Sequence, residues 1–150
     1  MHKTGGSPSL RQEQMAWAET IFNTPMGRDQ VNPSPESLCD LVLLGGDDFW
    51  AAGNGQAALE VKGEEGARLL LMGLDAAGFF LVHESKNEAF CSRNPSVAAD
   101  SDQIVEIHVG GEPIQVPLKN FVDKELAWKV IADFLRDAKR SREIEWDVWR

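Results

Sequence analysis

The spacing of apolar residues divides the chain into helical and extended stretches. In "SLRQEQMAWAETIFN", Leu10, Trp17, Ala18, Ile21 and Phe22 fall on one helical face, and Ser9 stands three residues before Gln12, a capping-box spacing. That pattern predicts a helix over 10–22, preceded by an unstructured lead of residues 1–9. "TPMGRDQVNPSP" is dense in chain breakers and reads as a loop. "SPESLCDLVLLGG" reads as a complete short helix: Ser34 caps it, Pro35 takes the first helical position and Glu36 sits in the first turn. Leu38, Leu41 and Val42 form its apolar stripe, and Gly45-Gly46 stops it.

From about residue 56 the period becomes extended. "QAALEVKG", "ARLLLMGL", "GFFLVHES" and "EAFCS" are short apolar runs separated by turn-like "EEG", "DAAG" and "KN". "QIVEIHVGGEPIQVPL" is the clearest hairpin, with Ile104, Glu106 and His108 alternating against Val105, Ile107 and Val109 before a Gly110-Gly111 turn. "FVDKELAWKVIADFLRDAKRS" is the strongest helix. Asp123 caps it, and Ala127, Val130, Ile131, Phe134, Leu135 and Ala138 recur at three- and four-residue steps. Lys139, Arg140 and Arg142 gather at its end, where the helix dipole favours cations. In the tail "REIEWDVW", Ile144, Trp146 and Val148 alternate with Glu143, Glu145, Asp147 and Trp149, the pattern of a strand with one face on a core.

Helices segregated from a run of strands predict an α+β fold. The expected architecture is an antiparallel β-sheet meander with two N-terminal helices and one long C-terminal helix packed on one face, ending in a short C-terminal strand. At 150 residues the chain reads as a single domain over 10–150 that needs no cross-link to fold. No apolar run approaches the roughly 20 residues of a membrane span, and no apolar signal core stands in "MHKTGGSPS", so the expected location is the cytoplasm, with no membrane partner. An exported protein with its signal trimmed is the alternative. Cys39 and Cys91 read as two reduced, structural thiols, against the alternative of a disulfide in such an exported protein.

The net charge of −9 is unevenly placed. Residues 34–118 carry fourteen acids and four bases, whereas 1–33 balance and 119–150 carry one excess base. Such a field repels nucleic acid and favours a basic protein partner, although plain solubility would also select it. The bases of the last helix are interleaved with Asp133 and Asp137, which suits a solvated helix end better than a nucleic-acid patch.

Candidate chemistry is sparse. "GNGQAA" fits a degenerate G-x-G-x-x-A, but the strand-like "ALEVK" follows where a dinucleotide fingerprint needs a helix, so it reads as a turn and no cofactor is expected. His2, His83, His108 and the two cysteines have none of the short spacings of a zinc site, and no metal is expected. A Cys-His pair could still meet in space, yet nothing marks either cysteine as a nucleophile, and no catalytic residue is assigned. "GGDDFW" has three readings: adjacent acids for Mg²⁺ or Ca²⁺, which lack the further oxygen ligands at alternating positions that such a loop needs; a turn whose aromatics tuck into the core; or an exposed loop with Asp47 and Asp48 for steering and Trp50 as anchor. Five tryptophans and no tyrosine have two readings as well, since tryptophan is enriched at protein–protein hot spots and is also a large core filler; Trp17 and Trp128, on or near helix stripes, read as core. The candidate partner surface is therefore Asp47, Asp48, Trp50, Glu64, Glu65 and Asp75, with Trp149 either covering an apolar patch or exposed to a partner.

The C-terminal third, "VPLKNFVDKELAWKVIADFLRDAKRSREIEW", resembles the first family of bacterial polymorphic-toxin immunity proteins. Those chains close with a strand ending in Val-Pro, a short link, a capped amphipathic helix bearing an aromatic, and a tail with a tryptophan. Val116-Pro117, Val122 to Ala127, Phe134 and Trp146 match these elements in turn. The likeness extends in general pattern over 57–149. It departs at "RDAKRSRE", where family members often have a glycine. The resemblance implies a non-catalytic α+β protein that binds and occludes a cognate toxin, commonly a deaminase-like or nuclease domain. An acidic adaptor or secretion-chaperone module is the alternative, followed by an enzyme with an unrecognised site.

Overall fold

Local sequence signals become elements in the computed structural model, which describes residues 19–63 and 66–149. In chain order they are β1 (Thr20–Asn23), β2 (Asp29–Val31), α1 (Pro35–Leu44), α2 (Gly46–Trp50), β3 (Ala57–Val61), β4 (Arg68–Leu74), β5 (Gly78–Ser85) and β6 (Glu88–Arg93). There follow β7 (Ile104–Val109), β8 (Glu112–Pro117), a 3-10 turn (Leu118–Asn120), β9 (Phe121–Val122), α3 (Lys124–Asp137) and β10 (Glu145–Val148). Helix α1 starts where Ser34 Oγ accepts from Ser37 N at 3.1 Å, and Pro35 follows the cap. Helix α3 starts where the Asp123 carboxylate accepts from Leu126 N at 2.8 Å, and ends as Ala138 turns to φ +62°.

Strands run antiparallel in the order β10-β6-β5-β4-β3-β1-β2, and β9 pairs with β5 at Phe79 and Phe80, beyond the segment that β6 occupies. Strands β4 and β5 are buried on both faces, which explains why "RLLLMGL" and "GFFLV" are nearly continuous apolar runs. On one face, Leu59, Leu69, Leu71, Phe79 and Leu81 meet Leu38 and Val42 of α1 and Val130, Ile131 and Phe134 of α3. On the other, Leu70, Met72, Phe80, Val82 and Cys91 meet Ile107 and Val116 of the β7–β8 hairpin. The molecule is thus helices on a sheet on a hairpin, an α+β fold with its helices on one face. No described helix is long and apolar enough to cross a membrane.

The helix expected over 10–22 is corrected where it can be seen. Residues 20–23 form a strand, registered between β2 and β3 with Phe22 opposite Gln30 and Leu59; residues 10–18 lie outside the described ones. Ile21 and Phe22 fit a helical stripe and a strand alike, and pairing to two neighbours decides for the strand. The glycines after α1 do not open a loop either. Gly46, at φ +64°, redirects the chain into the five-residue α2.

The tail is a strand, paired to β6 with Trp146 opposite Ser92. Ile144 is buried and Trp146 packs on the helix-side core, where its Nε1 donates to Ser141 O at 2.9 Å. Val148, expected on the same apolar face, is 62% exposed. A buried polar cluster staples this edge: Leu81 N donates to Ser92 Oγ, Ser92 Oγ to Asn120 O, and Asn120 Nδ2 to both Ser92 O and the Asp147 carboxylate.

Candidate functional site

The acidic stretch 34–118 supplies most of the candidate residues, and the fold splits them. In α2 each residue turns about 100°, so "DDFW" divides into an outer and an inner pair. Asp47 and Asp48 are exposed, while Phe49 is half-buried and Trp50 is 2% exposed. Trp50 is a correction to its reading as an exposed anchor: its indole sits edge-on to Phe79 at 5.0 Å and to Phe49 at 4.8 Å, and Nε1 donates to Leu41 O at 2.8 Å. Gly73 makes that room, since a Cβ there would lie 2.7 Å from the Phe79 ring and 3.1 Å from Trp50 Cβ.

Asp47 and Asp75 come together although 28 residues apart. Asp75 N donates to Asp47 Oδ1 at 2.8 Å, Asp47 N donates to Asp75 Oδ2 at 3.3 Å, and Lys124 Nζ reaches Asp75 Oδ1 at 3.2 Å. The backbone N–H of Asp47, then the Lys124 ammonium, hold the Asp75 carboxyl below its usual value. These two carboxylates join α2 to the β4–β5 turn, so part of the expected steering charge is engaged in structure. Asp48 is exposed beside them. Glu64 and Glu65 lie outside the described residues. Gly63 and Gly66, which flank them, stand at the other end of β4 from Asp75, a strand whose seven residues span about 23 Å.

Trp149 sits on the hairpin face, opposite Trp146. Its ring meets Phe80 edge-on at 5.0 Å, and its N donates to Ala89 O at 2.9 Å. It is half-buried and covers the margin of that core, bordering a shallow hollow with Glu88, Phe90 and Val148. Of the two readings of this residue, the structure places it over an apolar patch.

The sheet also separates Cys91 from His83. Cys91 faces the hairpin, and burial pushes its thiol up to about 11. His83 faces the helices between Phe134 and Trp146, with Nε2 donating to Ala138 O at 2.9 Å. Burial lowers its proton affinity, and the nearby Arg140 adds to this, against the opposing pull of the Ala138 carbonyl. Cys39, in α1, has a thiol raised by burial and by Asp40. Among the described residues no cluster of three or more His, Cys, Asp or Glu is arranged to hold a metal.

A feature that sequence reasoning passed over lies beside the Asp47–Asp75 pair. A hollow of about 120 Å³ opens between the end of β4, the loop after α2 and the rim of β7, lined by Ala51, Gly55, Gly73, Leu74, Glu106 and His108. Leu74 of its wall directly precedes Asp75, so Asp75 and Glu106 bring two exposed carboxylates to one end of the molecule. Local spacing carries no signal for the hollow, because its lining comes from three segments far apart in the chain. Compared with known proteins, the chain matches no family model and no curated sequence.

Proposed function

We propose that the protein is a non-catalytic inhibitor that works in the cytoplasm by binding a basic bacterial toxin, of deaminase or nuclease type, and occluding it. The observation that carries this reading is the placing of charge: Asp48, Asp75 and Glu106 are exposed at one end of the sheet, within a stretch holding fourteen acids against four bases. A basic partner meets such a surface at an enhanced rate. The immunity-protein resemblance is supported by the run from Val116-Pro117 through the Asp123-capped helix to Trp146, in which Phe134 is buried and Trp146 lies on the same core.

The test is co-expression with the product of the adjacent gene. A toxic product should be neutralised, and the two chains should co-elute as a one-to-one complex whose association slows as salt rises. An adjacent product that neither harms cells nor binds would remove the basis for this reading.

A further inference from the structure

The β7–β8 hairpin has two rims, and they are unlike. The ladder phase follows from one bond: Leu118 N donates to Gln103 O at 2.9 Å, one step beyond the pair Ile104–Pro117. In an antiparallel ladder bonded and non-bonded pairs alternate. Val105–Val116, Ile107–Ile114 and Val109–Glu112 are therefore bonded pairs. Ile104–Pro117, Glu106–Gln115 and His108–Pro113 are the pairs whose backbone groups point outward. On β8 two of the three outward positions are proline, so that rim has lost two of its donors. On β7 the outward positions are Ile104, Glu106 and His108, with every N–H present.

Strand β7 has no strand partner on its outer side among the described residues. Its far end is closed by the loop after α2: Gly110 N donates to Asn54 O at 2.8 Å, and Gly55 lies so close to His108 O that a Cβ would stand 2.1 Å from it. The span from Ile104 to Glu106 stays open, with Ile104 53% exposed and the Glu106 side chain beside the hollow. The rims of the large sheet invite a strand less. Strand β2 has three residues, and β10 has four, next to Arg93, Arg140 and Arg142. From 94 to 118 there is no Lys or Arg, while Asp100, Asp102, Glu106 and Glu112 are all exposed.

We infer that β7 is a docking rim at which an extended, Lys- or Arg-bearing segment of a partner protein adds as a strand against Ile104 and Glu106. Backbone bonds hold such a segment, and the adjoining hollow receives one of its side chains. The inference rests on the partner-binding reading above but names the surface and the binding mode.

The test is backbone amide exchange by NMR on the full chain with a capped alternating Lys-Val decapeptide as probe. In the free protein the Val105, Ile107 and Val109 amides exchange slowly, and those of Ile104 and Glu106 exchange fast. Saturating peptide should slow Ile104 and Glu106 by about tenfold or more, and the Glu-Val decapeptide should not. Glu106→Pro removes an outward donor and leaves the ladder bonds, so it should abolish the protection. Ile104→Pro, at the first residue of the strand, serves if the first variant unfolds. The inference is overturned if no protection appears at saturation, if it appears on β2 or β10 instead, or if both peptides protect equally. None of these outcomes depends on a toxin, so failure of the co-expression experiment and failure here are distinct.

Discussion

On one face of the sheet α1 and α3 form the cover; on the other a two-stranded hairpin does. Both covers bury apolar side chains, but they differ in what they leave over. A helix satisfies its backbone groups internally, so a helical cover ends in side chains. A hairpin satisfies only half of each strand's groups and leaves two rims. Here β8's rim has lost two of its three outward donors to Pro113 and Pro117, and β7's has lost none. The helix face thus reads as structure, and the hairpin face carries both structure and an unfinished ladder.

The largest expected effect tests the first half of that contrast. Phe134 is 1% exposed at the centre of the helix-side core. Phe134→Ala should cost about 3–5 kcal/mol in urea unfolding with an unchanged slope. A loss under about 1 kcal/mol would mean that α3 is not what holds this face.

His83 refines the same contrast, since it is the titratable group under the helical cover. Its neighbours are the Ala138 carbonyl, Phe134, Trp146 and the charges of Arg140 and Glu88. Because burial lowers its affinity for a proton in the folded state, the unfolded chain protonates first as pH falls through about 6.5. Stability from this group is complete above that pH and declines as pH falls towards the folded value. The thermal midpoint should drop between pH 7.5 and 5.5, by less than the Phe134→Ala loss, and His83→Gln should flatten the slope. An equal slope in the variant would assign it to another group.

The third effect concerns the aromatic beneath α2. Trp50→Phe keeps an aromatic six-membered ring but loses the pyrrole half of the indole and with it the bond to Leu41 O, a carbonyl that also accepts from Gly45 N at 2.9 Å. The acceptor is not orphaned, so the loss should be about 0.5–1.5 kcal/mol by denaturant titration. A much larger value would show that indole packing against Phe79, not the bond, fixes α2.

Sequence and structure agree best where several local signals coincide. Helix α3 combined a cap, a stripe and a basic end, and α1 combined Ser34, Pro35 and a stripe, so both were legible with their caps. The strands from β3 to β8 were legible by period and by turns. Strand β1 was not, because two adjacent apolar residues fit either period and only its pairing to β2 and β3 decides. In the candidate site, Trp50 was ambiguous because acids beside an aromatic do not tell which way a five-residue helix turns. The joining of Asp47 to Asp75 spans 28 residues and leaves no trace in local spacing. The prolines of β8 were visible throughout, but they acquire meaning only once the ladder phase is known.

The smallest effect on stability separates structural from available charge. Asp47 and Asp48 are adjacent in the chain, but Asp47 accepts from Asp75 N while Asp48 faces solvent. Reversing both charges would confound loss of the α2 attachment with loss of steering. Asp48→Lys isolates the second and should leave the unfolding free energy within about 0.5 kcal/mol. If the acidic end steers a basic partner, the same variant should associate more slowly at low salt, and the difference should shrink as salt screens the field. Stopped-flow association at two ionic strengths reads both quantities. A variant with unchanged rates would leave the carboxylates of this end with the role that Asp47 and Asp75 already show, holding α2 against the β4–β5 turn, and would move the search for a partner wholly to the rim of β7.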